Sequence, residues 1–274
     1  MTSLVLRRWF NTTLLLIAGV AVVWAYLAYA PSVRRLPYVS GWVLLVLMLV
    51  LTAYNGRKKL PFLPLLSSRA WLQFHIYTGL ATAVLFLAHI SFRVPSGWFE
   101  VTLAWLYFVV MASGIFGLAL SRLMPKRLTT RGGEVLYERI PAIRRTLQQS
   151  AETIALKSIP EAQTSTIADF YVRELKHFFD GPRNFWLHLL EVRRPLNTLL
   201  DKITDLNRYS NDKEREKLNQ LADMVRQKDG LDYHHAIQTL LKAWLFVHIP
   251  FTYSLLIFSF VHVVLVFAFS GGAR

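Results

Sequence analysis

The chain has 274 residues, 54% of them hydrophobic and 14% aromatic, a formal net charge of +14 and no cysteine, with a mean hydropathy of +0.35. Soluble domains hold roughly 45–50% apolar residues on a count that includes glycine, so this excess rules out a wholly soluble protein. The missing cysteines exclude disulfides, iron–sulfur clusters, thiolate zinc sites, thiol catalysis and covalent CxxCH haem attachment within the chain, which leaves histidine as the first candidate ligand for any redox cofactor.

Uncharged runs cover residues 9–33, 36–56, 70–92, 101–121 and 243–273. Each reaches the ~20 apolar residues that cross a bilayer as a helix, so five transmembrane helices are expected. Arg7 and Arg8 precede the first, and Ala28-Tyr29-Ala30 at its end resembles a signal-peptidase site. The run is long for a signal peptide and contains Trp24 and Tyr26, so it reads as a retained span. Arg34 and Arg35 follow helix one, and Arg57, Lys58, Lys59 and Arg69 lie between helices two and three. Only Arg93 and Glu100 separate helices three and four. By the positive-inside rule the N-terminus is cytoplasmic and the short tail after helix five is outside. The expected location is a bacterial inner (plasma) membrane. Helices three and five then run parallel.

Residues 122–240 form a polar insert between helices four and five, which divides the chain into 1–121, 122–240 and 241–274. Of 31 Lys and Arg, 20 fall in the insert beside 16 of the 17 acids; the rest of the chain has 11 basic residues and Glu100. This membrane topology pattern accounts for the charge without nucleic acid. Apolar residues recur at three- and four-residue spacing over 166–179, 185–191 and 213–228, which predicts a cytoplasmic helical insert. Breaks are expected at Pro160, Asp180-Gly181-Pro182, Pro195 and Asp229-Gly230. No GxGxxG or Walker sequence is present, which argues against a nucleotide domain there.

Four of the eight histidines lie in the apolar runs: His75 and His89 on helix three, His248 and His262 on helix five. Members of each pair are 14 residues apart, which brings them within about 40° of one face and roughly 21 Å apart along the axis. Parallel helices set His75 opposite His248 and His89 opposite His262. Two stacked imidazole pairs suit two bis-histidine haems b, because neutral imidazole ligates iron axially without burying charge. Gly79 and Thr82 on helix three, with Thr252 and Ser259 on helix five, share the histidine faces and leave room for a flat macrocycle. Arg93, one turn after His89, and Arg69 and Lys242, six residues before His75 and His248, are placed to meet anionic propionates. A helix-packing hydrogen bonder is the bland reading of a membrane histidine. Four at one repeated spacing, at membrane depth, weigh against it.

The paired His-x13-His on two membrane helices resembles the di-haem cytochromes b, which include the quinol-oxidising cytochrome b core and the ferric-reductase and NADPH-oxidase membrane domain. The resemblance covers mainly residues 71–121 and 243–269, and implies that His75, His89, His248 and His262 are axial ligands. Neither relative transfers its substrate. Ferric reductases follow their helices with a sixth helix and flavin and nicotinamide domains that this sequence does not show, and quinol-oxidising cytochromes have a short link where the 119-residue insert stands. His248-Ile-Pro-Phe-Thr252 resembles a flavin motif of the former family, yet it falls inside helix five, where no flavin docks.

The expected function is a di-haem subunit that passes electrons across the membrane between a quinone pool and partner subunits, which would be iron–sulfur, flavin or c-type cytochrome proteins. One rival is a ferric-reductase or oxidase-like subunit fed by a separate flavoprotein. Another is a colourless transporter or scaffold. Among weaker signals, His234 continues the ladder 14 residues before His248 and is a candidate ligand to a third haem with His177 or His188; a surface histidine beside His235 is the preferred reading. Glu100 could take a quinol proton near the outer haem, or simply sit at a helix N-terminus. The aromatic stretch 178–187 reads as insert core in preference to a bilayer or partner contact.

Overall fold

The computed structural model describes residues 2–29, 36–59, 67–129, 135–162 and 165–270. Every regular element among them is helical, and no strand occurs. The chain divides into two compact units, one formed by Met1–Ala119 with Trp244–Arg274 and the other by Leu120–Ala243.

In the first unit the apolar runs become α1 (Thr2–Tyr29), α2 (Leu36–Lys59), α3 (Ser68–His89) and most of α4 (Trp98–Thr129), joined by the apolar end of α10 (Asp212–Ser270). Four helices, α2, α3, α4 and α10, are long and apolar enough to cross a membrane, which marks a multi-pass membrane protein. The apolar stretch of α1 among the described residues is shorter, Thr12–Tyr26. Outward faces carry large apolar groups such as Trp24, Trp105, Phe246 and Phe260, as lipid contact requires. Packing inside the unit is built from Leu44, Phe86, Ala104, Tyr107 and Leu255, and α3 packs on both α1 and α2. Ser67 caps α3, its hydroxyl accepting from the Ala70 amide at 3.3 Å, the usual service of serine at that position.

Helix α3 ends at His89, earlier than the uncharged run. Ser91 and Phe92 adopt left-handed backbone (φ 55° and 54°) and turn the chain toward α4. Arg93 is therefore in the loop and not one helical turn beyond His89, which corrects the expected placement.

The second unit contains α5 (Ile140–Ala162), α6 (Thr166–Phe170), a π turn (Tyr171–Leu175), α7 (Lys176–Phe179), α8 (Phe185–Leu189), α9 (Arg194–Arg208) and the polar start of α10. Its core includes Ile140, Ala151, Ile167, Leu175, Phe179, Leu218, Leu221 and Val225. Gly181, at φ +87°, supplies the turn expected at 180–182, and Pro195 sits in the first turn of α9, where its missing N–H costs nothing.

Two expected breaks do not occur. Pro160 is inside α5, two residues before its end. Asp229-Gly230 is inside α10, which runs unbroken for 59 residues. A glycine costs a helix only ~1 kcal/mol against alanine, and buried Leu231, Tyr233 and Ile237 anchor the far side. The helix starts with a reciprocal cap: Asn211 Oδ1 accepts from the Glu214 amide and Glu214 Oε2 from the Asn211 amide, both at 2.9 Å, a capping box. The aromatic stretch splits, since Phe178 and Phe179 are core while Trp186 is 73% exposed.

Candidate functional site

The four membrane histidines all belong to the first unit. His89 on α3 and His262 on α10 have ring centroids 6.3 Å apart and planes at 89°. His75 lies within electrostatic range of His248. These neighbours are those of helices running in the same direction. Two imidazoles bound on opposite sides of one metal by bonds of about 2 Å hold their centroids about 6 Å apart, a separation close to that of His89 and His262.

A cavity of about 770 Å³ opens beside this pair, bounded by α2, α3, α4, α10 and the loop after α3. That is within the roughly 300–1,000 Å³ of small-molecule and cofactor sites. Gly41, Trp42, Met48, Tyr107 and Ser259 contribute to a largely apolar wall, and Arg93 and Glu100 also line it. The Glu100 carboxylate folds back closely on Gly97, where a Cβ would meet Oε2 at 1.9 Å and displace the end of that side chain. Around Gly79 a Cβ would meet nothing within 4 Å.

Neighbouring helices orient the imidazoles. His89 Nδ1 is 3.0 Å from the Pro37 carbonyl of α2. A carbonyl only accepts, so Nδ1 carries the proton and the lone pair of the neutral ring is on Nε2. Ser40 Oγ, itself donating to Pro37 O at 3.1 Å, stands 3.4 Å from the same nitrogen. Gly41 lets the ring in: a Cβ there would meet His89 Cε1 at 2.8 Å. On the other pair, His248 Nδ1 is 2.7 Å from Ser113 Oγ of α4. Its ring stacks on Trp244 (5.5 Å, 27°), whose Nε1 donates to the Ser113 carbonyl at 2.8 Å. His262 stacks on Phe99 (6.3 Å, 17°), and His75 packs against Tyr54 at 5.1 Å.

Between the two histidine levels, Thr82 donates to the Gly79 carbonyl at 2.7 Å, so Tyr107 OH donates to Thr82 Oγ1 at 3.0 Å. Tyr107 also stacks on Phe86, with centroids 4.0 Å apart.

Other expected site residues are placed differently. Lys242 donates to Glu138 Oε1 at 3.1 Å and lies over the Tyr137 ring at 3.6 Å, so its ammonium is engaged by these partners. The Arg69 side chain, the pair Arg34–Arg35 and residues 271–274 lie outside the described residues. His234 is 3% exposed, which corrects the surface reading; it lies on the α10 segment whose neighbours Leu231, Tyr233 and Ile237 are buried in the second unit. His177 is engaged by Arg183 at 2.7 Å. His188 is buried and 3.9 Å from Asp229.

Sequence reasoning missed Gly41, Pro37, Ser113, Trp244 and Phe99. A signal existed for one group: Ser113 and Gly117 form the small-xxx-small spacing that lets membrane helices approach closely. Gly117 serves that end, since a Cβ there would stand 2.0 Å from the Trp244 ring.

Among the described residues no three His, Asp or Glu side chains converge on one point. Comparison with protein-family models, curated proteins and solved structures finds no match for the chain.

Proposed function

We propose that the chain is a di-haem b-type cytochrome subunit carrying electrons across a membrane between a quinone pool and a partner redox protein. The observation that carries this reading is the pair of two-histidine levels on α3 and α10. At one level, rings 6.3 Å apart border a cavity of about 770 Å³. The residues would suit haem: each pair could offer one imidazole from α3 and one from α10, a porphyrin would supply the remaining nitrogens, and the tautomer of His89 leaves Nε2 for binding. Each haem, when bound, supplies a one-electron ferric/ferrous couple.

The protein's contribution is to hold His75 with His248 and His89 with His262 as neutral ligands in a low-dielectric setting. Arg93 at the cavity edge offers a cation to an acidic substituent, and Gly79 leaves open space on the ligand face of α3. Glu100 stands beside the same cavity. In this reading α1 is a fifth span, and the N-terminus and residues 122–240 are cytoplasmic with the C-terminus outside, as the basic loops favour. The second unit serves as the surface for a redox partner.

The test is a dithionite-reduced minus oxidised optical spectrum of the purified chain, with haem per polypeptide quantified. Two haems per chain with b-type bands are expected, and His75→Ala and His248→Ala should remove the same one. Folded protein that was well supplied with haem yet binds none would overturn the reading.

A further inference from the structure

The contact between Ser113 and His248 bears on which imidazole nitrogen carries the proton. Ser113 Oγ donates its single hydrogen to the Val110 carbonyl at 2.8 Å, and a carbonyl can only accept. The same oxygen is 2.7 Å from His248 Nδ1. With that hydrogen directed at Val110, Nδ1 is the donor in the contact, and the neutral ring has its lone pair on Nε2. The grip is doubled, because the backbone carbonyl of Ser113 accepts from Trp244 Nε1 at 2.8 Å and the Trp244 ring stacks on His248. Helix α4 contributes no histidine, yet it fixes both the angle and the proton of one on α10.

We propose that Ser113 is a positioning residue that sets the Nδ1–H tautomer of His248 and, through that ring, the reduction potential of the haem it ligates. This rests on the haem reading above. A ligating histidine that donates its second N–H to an acceptor is a more basic ligand. It places more electron density on the iron and favours the ferric state, which lowers the potential. At the other level the Pro37 carbonyl does the same for His89, so the two haems are tuned separately, one from α4 and the other from α2.

The experiment compares Ser113→Ala and Ser113→Thr in the full chain, measuring haem content and the potentials of both haems by spectroelectrochemical titration. Threonine can keep the hydroxyl and its bond to the helix carbonyl. Ser113→Ala should retain haem and move one potential upward, with a shift of order tenfold in the ferric/ferrous equilibrium, about 59 mV for one electron. The other potential should stay in place, and Ser113→Thr should restore the original value. Selective loss of one haem in Ser113→Ala, with both kept in Ser113→Thr, would equally support the role. Two haems at unchanged potentials in Ser113→Ala would overturn it, as would equal shifts in both variants. A wild-type chain without haem would instead overturn the haem reading itself, so the two failures are distinct.

Discussion

On the di-haem proposal, Gly41→Ala should cost the chain one haem and leave the other. The new Cβ would stand 2.8 Å from His89 Cε1 and 3.2 Å from Nδ1, whereas carbon contacts are comfortable at about 3.5–4.0 Å. The ring must retreat by roughly 0.7–1.2 Å to regain that distance. Its hydrogen bond to Pro37, now 3.0 Å, then stretches to about 3.6 Å or beyond, where it no longer counts as one. The direct loss is about 0.5–1.5 kcal/mol, but the larger effect is positional, since a working site tolerates only about 0.5 Å of ligand displacement. Gly114 provides the control. A Cβ there meets His248 Cε1 at 3.7 Å, an ordinary contact. Haem per polypeptide, measured with helix content by circular dichroism, should fall from two toward one in Gly41→Ala and stay at two in Gly114→Ala. Both haems retained in Gly41→Ala with unaltered spectra, or equal losses in the two variants, would refute the reasoning.

Two further predictions concern the second unit. Asp232, 2% exposed, accepts from Arg144 Nη2 at 3.2 Å, from the Arg183 amide at 3.1 Å and from the fully buried Lys228. Burial draws the Lys228 ammonium below its ordinary range, with Asp232 opposing the shift. Asp232→Ala should thus lower unfolding stability by about 3–5 kcal/mol by stranding two buried cations, while Lys228→Met, which leaves Asp232 with Arg144 and the Arg183 amide, should cost less; equal losses in denaturant titrations would contradict this. His235, stacked on Tyr137, is drawn below 6.5 by burial and then by Arg144, against Asp232. Between that lowered value and 6.5 the unfolded chain holds a proton that the folded chain lacks, so stability falls as pH falls through the window. Melting temperatures recorded from pH 7.5 to pH 5 should show a shallower decline in His235→Gln than in the wild type, and an identical decline would count against the assignment.

The long helices were legible because a membrane helix needs an uncharged run and little else, and residues 36–56 and 70–92 announce themselves as such. The ends were less so. Ser91 and Phe92 are apolar or neutral enough to extend the run, but their left-handed backbone stops α3 at His89. Asp229-Gly230 looked like a break because glycine and aspartate are weak helix formers, yet the packing of Leu231, Tyr233 and Ile237 outweighs ~1 kcal/mol. Lys228 and Asp232 are spaced four apart, as any solvated helix pair is. Nothing in the local sequence says that their side chains are 0% and 1% exposed. His234 was misread for the same reason, since burial depends on elements distant in sequence that fold over α10.

The histidine ladder carries the deeper lesson. His-x13-His has the same spacing on α3 and α10, and spacing alone makes the four imidazoles equivalent. They are not. His89 is held by a carbonyl from α2, 52 residues away, and His248 by a hydroxyl from α4, 135 residues away; His262 has the face of Phe99. Periodicity determines where along a helix a ligand stands, because it follows from the geometry of one helix. Orientation and proton placement come from contacts between helices, which a single sequence does not encode in any local pattern. Those two contacts are to a histidine on α3 at one level and to a histidine on α10 at the other. The helices without histidines, α2 and α4, therefore determine how each pair can bind, and substitutions at Gly41 or Ser113 should change the chemistry of a ligand they never replace.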